Sequence, residues 1–259
     1  MTSPPSPLRP RNWPGPHGDW RIVFYVGGIA PLVLAPVMAF VLPESELFRE
    51  SQTKAPLSNA TPTIADTLFG GGRARATLLL WVAVFFTAFM TYVMLNWLPV
   101  LMGGKGFSKT DALLIQILFN VGAAGGSVLL GWRMQRRRSR LLLFACYAGL
   151  AAGLLVIALL GKDLLLTAAT AAAIGAFLLG AQFILYGLAP DYYGVAVRGT
   201  GTGAAVASSR LGSAAGPFLA GMLLGQGASE THVLEALLPV TAIAAVAAVG
   251  LLFFERVRG

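Results

Sequence analysis

Arg210 stands in the stretch "SSRLGSAAGPFLAGMLLG", residues 208 to 225, among small and apolar residues. A guanidinium there has one natural chemistry, because its planar fork of donors matches a carboxylate through two parallel hydrogen bonds. Its neighbours at helical spacing are Gly203, Val206, Ala207, Ser213, Ala214 and Pro217, mostly small, which leaves room for the side chain to extend. Further polar residues recur four apart, each pair on one helix face: Gln116 with Asn120, Gln182 with Tyr186, and Tyr92 with Asn96. Continued backward, the Tyr92 stripe meets Phe89 and Phe85, so aromatic walls topped by donors face one way. Together these residues suit an organic acid with a ring. The alternative for Arg210 is a structural bond to a carboxylate or backbone carbonyl of a neighbouring helix, and the amides serve equally well as glue between helices.

The elements that carry these residues are long and greasy. Of the 259 residues 56% are hydrophobic and 12% charged, and the mean hydropathy is +0.72; soluble domains hold about twice that charged fraction. Apolar runs of the roughly 20 residues needed to cross a bilayer lie near Ile22–Leu42, Ala76–Leu98, Ala112–Trp132, Leu141–Leu160, Leu164–Leu188, Thr200–Gly225 and Val233–Phe254. Alternating strand patterns are absent, so the expected fold is an all-α membrane protein of seven transmembrane helices. Arg210 falls 11 residues past Gly199, about 17 Å along such a helix. Burying it there unpaired and facing lipid costs about 2.5 to 3.5 kcal/mol, which argues for a cavity.

Glycines spaced four apart, Gly122 with Gly126, Gly212 with Gly216 and Gly221 with Gly225, predict close helix packing. Trp97 and Pro99 are expected to end the second span at the membrane interface. The net charge of +8 reflects sidedness rather than nucleic-acid binding: twelve lysines and arginines lie on the side of the C-terminus and six on the other. The positive-inside rule therefore puts the C-terminus in the cytoplasm of a multi-pass inner-membrane protein. The "GTGTG" run lacks the lysine and preceding strand of a phosphate loop, and Cys146 is expected to be a small buried apolar residue. The last span has no lysine to carry retinal. Ser127, Ser208 and Ser209 have no histidine at their depth, so hydrolysis is not expected. No metal site or cofactor is expected.

The segments "DWRIVFYVGGIAPLVLAPV", "LPES", "LNWLPVLM", "GFSKTDALL" and "VRGTGTGAAVASSRLGSAAGP" together resemble the major facilitator superfamily, and within it the aromatic acid:proton symporter branch of hydroxyphenylpropionate- and benzoate-carrier type. The resemblance runs from about Asp19 to Phe254 and matches helices six to twelve of a twelve-helix carrier. The first 19 residues, with six prolines and no apolar run, read as a disordered lead-in, and the resemblance implies a helix equivalent to helix six over 20–42, a cytoplasmic central loop over 43–75, a six-helix bundle over 76–254 and a cytoplasmic tail over 255–259. It further implies a truncated transporter, whose N-terminal half and proton-coupling acidic motif are missing; none of Asp111, Asp163, Asp191 or Glu235 is expected at mid-depth. The implied function is proton-coupled uptake of a small aromatic carboxylate across the bilayer once a separate N-terminal half completes the cavity. Arg210 then serves as anion receptor, and Gln116, Asn120, Gln182, Tyr186, Tyr92, Asn96, Phe85 and Phe89 surround the substrate. A carrier of another organic anion or metabolite, or a nonfunctional remnant, are the alternatives. Gln135 stands where the family has an acidic residue between helices eight and nine, ahead of Arg136, Arg137 and Arg138, which implies a lost gate salt bridge.

Overall fold

A computed structural model of the chain describes residues 63–134 and 139–254, together with residues 25, 28, 29 and 32–38. The chain divides into two compact units, Met1–Thr53 and Lys54–Gly259. In the first, residues 32–38 are helical. Most of the expected first span, the lead-in, the tail, and Gln135 with the three arginines after it lie outside the described residues.

Among the described residues of the second unit the first element is a short helix, α1 (Ile64–Phe69), inside the stretch expected to be loop. It is tied to the next helix by the buried Thr77 hydroxyl, which donates to the Leu68 carbonyl at 2.8 Å. Six long helices come after it: α2 (Ala74–Gly104), α3 (Lys109–Met134), α4 (Ser139–Leu159), α5 (Leu164–Leu188), α6 (Arg198–Gly225) and α7 (Glu230–Leu251), with two 3-10 turns, Ala189–Tyr192 and Val195–Val197, between α5 and α6. They coincide within a few residues with six of the expected spans. The described residues contain no strand. Five of the helices are long and apolar enough to cross a membrane. The sixth, α6, is not among them, because glycine, serine, threonine and Arg210 dilute its apolar content.

Local chemistry starts these helices where the chain leaves its turns. Ser108 accepts the Asp111 N–H at 3.1 Å ahead of α3, Asp163 accepts from Leu166 at 3.0 Å ahead of α5, and Ser229 accepts from His232 at 3.3 Å ahead of α7. Each satisfies an N–H that a helix start otherwise leaves open. One expectation is corrected here: α2 does not stop at Trp97 and Pro99 but continues to Gly104 with Pro99 inside it. Proline lacks one N–H and crowds the preceding turn, yet a helix packed among neighbours in a bundle tolerates it. Pro217 and Pro239 likewise lie inside α6 and α7.

Small residues decide which helices meet. The α3–α5 and α2–α6 pairs are the most extensive, and α7 packs on both α2 and α4. Gly122 and Gly126 of α3 lie against the backbone of Ala172 and Ala176 in α5, while Gly212 and Gly216 of α6 lie against the backbone of Phe85 and Phe89 in α2. Gly221 meets the Trp97 ring, and Gly225 meets nothing within 4 Å. Trp97 also donates its indole N–H to the Pro217 carbonyl at 3.0 Å, so it joins α2 to α6. Between the helices sits a continuous apolar core that includes Leu80, Met94, Leu98, Ile115, Phe119, Leu150 and Leu178. Cys146 lies within it, 1% exposed. At one end of the bundle Lys105, just past α2, donates to the Ile157 and Ala158 carbonyls, which α4 leaves unsatisfied at its C-terminus.

Candidate functional site

Two pairs of consecutive residues, Thr91–Tyr92 on α2 and Ser209–Arg210 on α6, are bridged twice. The direct bridge is Arg210 Nη1 to the Tyr92 hydroxyl at 3.5 Å. The second passes through α5: Thr91 Oγ1 lies 3.0 Å from Gln182 Oε1, Gln182 Nε2 lies 3.1 Å from the Tyr186 hydroxyl, and that hydroxyl lies 2.7 Å from Ser209 Oγ. With the two peptide links this makes a closed polar ring across three helices. Thr91 and Ser209 are 3% and 2% exposed, Gln182, Tyr186 and Tyr92 are half-buried, and Arg210 is exposed. Helix periodicity explains why the ring can close. Gln182 and Tyr186 are one turn apart on α5, and the Gly212/Gly216 seam brings α6 close enough to α2 for residues 209 and 210 to reach across.

Arg210 sits 12 residues after Arg198 and 15 before Gly225, about 18 Å and 22 Å from the two ends of its helix. It carries five N–H donors, and the described residues give it one partner, the Tyr92 oxygen, at the edge of hydrogen-bond range. No described carboxylate pairs with it. Asp111 is in the first turn of α3 and Asp163 caps α5; Asp191 is in the 3-10 turn after that helix, and Glu235 is in the second turn of α7. The ring thus holds a mid-helix cation whose hydrogen-bonding capacity is largely open.

The other expected residues are dispersed. Asn96 donates to the Tyr92 carbonyl of its own helix at 2.7 Å and is exposed. Phe85 stacks edge-on against Phe86, ring centres 5.1 Å apart. Phe89 lines an apolar groove of about 190 Å³ with Val93, Leu219, Leu223, Leu237 and Val240, between α2, α6 and α7, and Arg210 is not part of that groove. On α3, Asn120 is exposed, and Gln116 has a buried amide oxygen without a hydrogen-bond partner. Neither α3 amide bonds to the ring.

Sequence spacing missed Thr91 as a site residue, and noticed Ser209 only as a serine without a histidine. The network also extends to Thr87, whose hydroxyl lies 2.7 Å from that of Tyr147 on α4, and whose carbonyl lies 2.8 Å from Thr91 Oγ1. The available signal was the Thr87/Thr91 spacing of four, one turn apart on a helix otherwise rich in large apolar residues.

Residues 13–217 match the Major Facilitator Superfamily. The chain belongs to that superfamily. Among curated proteins, this facilitator is 37% identical over 235 residues to the 3-(3-hydroxy-phenyl)propionate transporter of Escherichia coli strain K12, covering 90% of the chain and 56% of that protein. It is 31% identical over 245 residues to the gallate transporter of Pseudomonas putida, covering 83% of the chain and 53% of that protein. To the 4-hydroxybenzoate transporter PcaK of Pseudomonas aeruginosa it is 31% identical over 260 residues, covering 90% and 58%. The facilitator therefore spans about half the length of the curated relatives it matches. These relatives carry aromatic acids by name, as the aromatic acid:proton symporter branch does, and they are transporters rather than enzymes.

Proposed function

We propose that this facilitator is the C-terminal half of a proton-coupled carrier for a small aromatic carboxylate, with seven spans counted from Ile22–Leu42 onward and a cytoplasmic C-terminus in the inner membrane. The observation that carries the reading is Arg210: a guanidinium at the middle of a long helix, held by one weak hydroxyl contact and facing no described carboxylate. An exogenous anion supplies the missing charge. The relatives' names narrow that anion to an aromatic acid.

In this reading the substrate carboxylate meets Arg210 through two parallel hydrogen bonds, and Tyr92 steadies the guanidinium from the side. The ring of the acid lies toward Gln182 and Tyr186. Gln116 and Asn120 on α3 and Phe85 and Asn96 on α2 form an outer wall that the further half completes, whereas Phe89 lines the separate groove between α2, α6 and α7. A further half of the carrier, with its own acidic groups, closes the cavity and takes the proton, and transport proceeds by rocking of the two halves about the site. The glycine seams at Gly122/Gly126 and Gly212/Gly216 let this half move as one body.

The test is uptake of a labelled aromatic acid in vesicles that hold the chain together with an N-terminal half from a relative. A charge-assisted hydrogen bond contributes about 1.5 to 3 kcal/mol, so Arg210→Gln lowers uptake roughly ten- to a hundredfold, and Arg210→Lys restores part of it. Uptake indifferent to Arg210→Gln rejects the assignment.

A further inference from the structure

Counting the protons in the polar ring leads beyond the anion site. Thr91 has one hydroxyl hydrogen but two acceptors in range, the Thr87 carbonyl at 2.8 Å and Gln182 at 3.0 Å. Ser209 is in the same position, between the Val206 carbonyl at 2.8 Å and Tyr186 at 2.7 Å. Both carbonyls belong to helix interiors and already accept a backbone N–H, so each hydroxyl is free to turn either way. When Ser209 donates to Val206, Tyr186 donates to Ser209, Gln182 donates to Tyr186, and Thr91 donates to the Gln182 oxygen. When Thr91 donates to Thr87 instead, Ser209 donates to Tyr186, Tyr186 donates to the Gln182 oxygen, and the amide donates to Thr91, with the amide turned over. In both arrangements every member of the chain is satisfied. In both, one amide hydrogen of Gln182 and one lone pair of Tyr186 remain unused.

Among the groups left open are a donor on Gln182 and an acceptor on Tyr186, adjacent side chains whose Nε2 and hydroxyl oxygen are 3.1 Å apart when the amide is not turned over. A hydroxyl group is the complement of such a pair, since it donates once and accepts. The two anchors, Thr91 and Ser209, are buried, while Gln182 and Tyr186 are half-buried and keep surface that a ligand can reach. We infer that the Gln182–Tyr186 pair, set by Thr91 and Ser209 as positioning residues, reads a ring hydroxyl of the bound acid. This rests on Arg210 as the carboxylate receptor. The site then has two poles, a charged one that accepts any aromatic carboxylate and a neutral one that favours hydroxylated rings. A carboxylate without a hydroxyl leaves the second pole unmatched, and at a half-exposed position, where water makes up part of the loss, that is worth about a tenfold preference.

The experiment is equilibrium binding of labelled 4-hydroxybenzoate, 3-hydroxybenzoate and benzoate to the 259-residue chain in lipid nanodiscs. The expected wild-type result is about tenfold tighter binding of at least one hydroxy acid than of benzoate. Ser209→Ala and Thr91→Val each bring that ratio close to one and leave benzoate affinity within about twofold; Ser209→Thr, which keeps the hydroxyl, restores it. A general loosening of the bundle lowers affinity for all three acids together and leaves the ratio intact, so an unchanged ratio in the variants overturns the inference. A wild-type ratio near one does the same. If the ratio is unchanged but Arg210→Gln still abolishes benzoate binding, the anion receptor stands and the hydroxyl subsite alone is rejected. If benzoate binding is indifferent to Arg210→Gln, both are rejected.

Discussion

Replacing Gly212 by alanine pushes α2 and α6 apart at the seam that positions Arg210. A methyl group there collides with the main chain of Phe85, with the carbonyl carbon 2.9 Å and Cα 3.1 Å from it. Backbone cannot swing aside as a side chain can, so the helices must separate. Overpacking of this kind costs about 1 to 3 kcal/mol, and the better helix propensity of alanine returns about 0.8 to 1.0 kcal/mol, leaving a net loss of about 1 kcal/mol. Gly203 on the same helix is the control, since its added methyl meets nothing within 4 Å. Gly203→Ala therefore gains about 1 kcal/mol from propensity alone, and the two variants differ by about 2 kcal/mol with opposite signs. For a chain of this size each kcal/mol moves the midpoint by about 2 to 4 °C, so thermal unfolding in detergent, followed by circular dichroism, separates the variants by about 4 to 8 °C. The seam also sets the Arg210–Tyr92 approach, so Gly212→Ala weakens benzoate binding while Gly203→Ala does not. A Gly212→Ala midpoint equal to or above that of Gly203→Ala refutes the reasoning.

Trp97→Phe keeps the ring against Gly221 but removes the bond to the Pro217 carbonyl, and costs about 0.5 to 1.5 kcal/mol in the same unfolding assay. Lys105→Met leaves the last carbonyls of α4 uncapped and lowers the midpoint at neutral pH. Burial holds the Lys105 ammonium below its usual pKa; in the window between that lowered value and 10.5 the unfolded chain binds more protons than the folded one, so this group's contribution to stability rises with pH there. Midpoints of wild type and Lys105→Met measured from about pH 8 to 10.5 should show that rise only in the wild type. Cys146, buried in α4, resists a maleimide in the folded chain and reacts once denaturant opens the bundle, and mass spectrometry of the labelled protein reads the difference.

What was legible along the chain was what depends on neighbours in sequence. Helix positions followed from apolar runs, and the four-residue glycine spacing marked the faces that lie in the two tightest seams. Arg210 was conspicuous because a charge inside an apolar run is visible without knowing any contact. Pro99 was misjudged for the same reason in reverse: locally proline reads as a stop, whereas packing of α2 along its length carries the helix five residues further to Gly104.

The sequence by itself determined that the chain is helical, largely suited to a bilayer, and carries one guanidinium deep in a long helix, because hydropathy and helical period are properties of a single segment. Only the tertiary structure decided what meets that guanidinium: Tyr92 directly, and Gln182 and Tyr186 through Ser209, while Phe89 turned to a separate apolar groove. Which helices pair, and how far each is rotated about its own axis, is set by glycine and alanine surfaces fitting against each other at close range. Contacts between residues more than 100 positions apart, such as Tyr92 with Arg210, come from that fit and from nothing local.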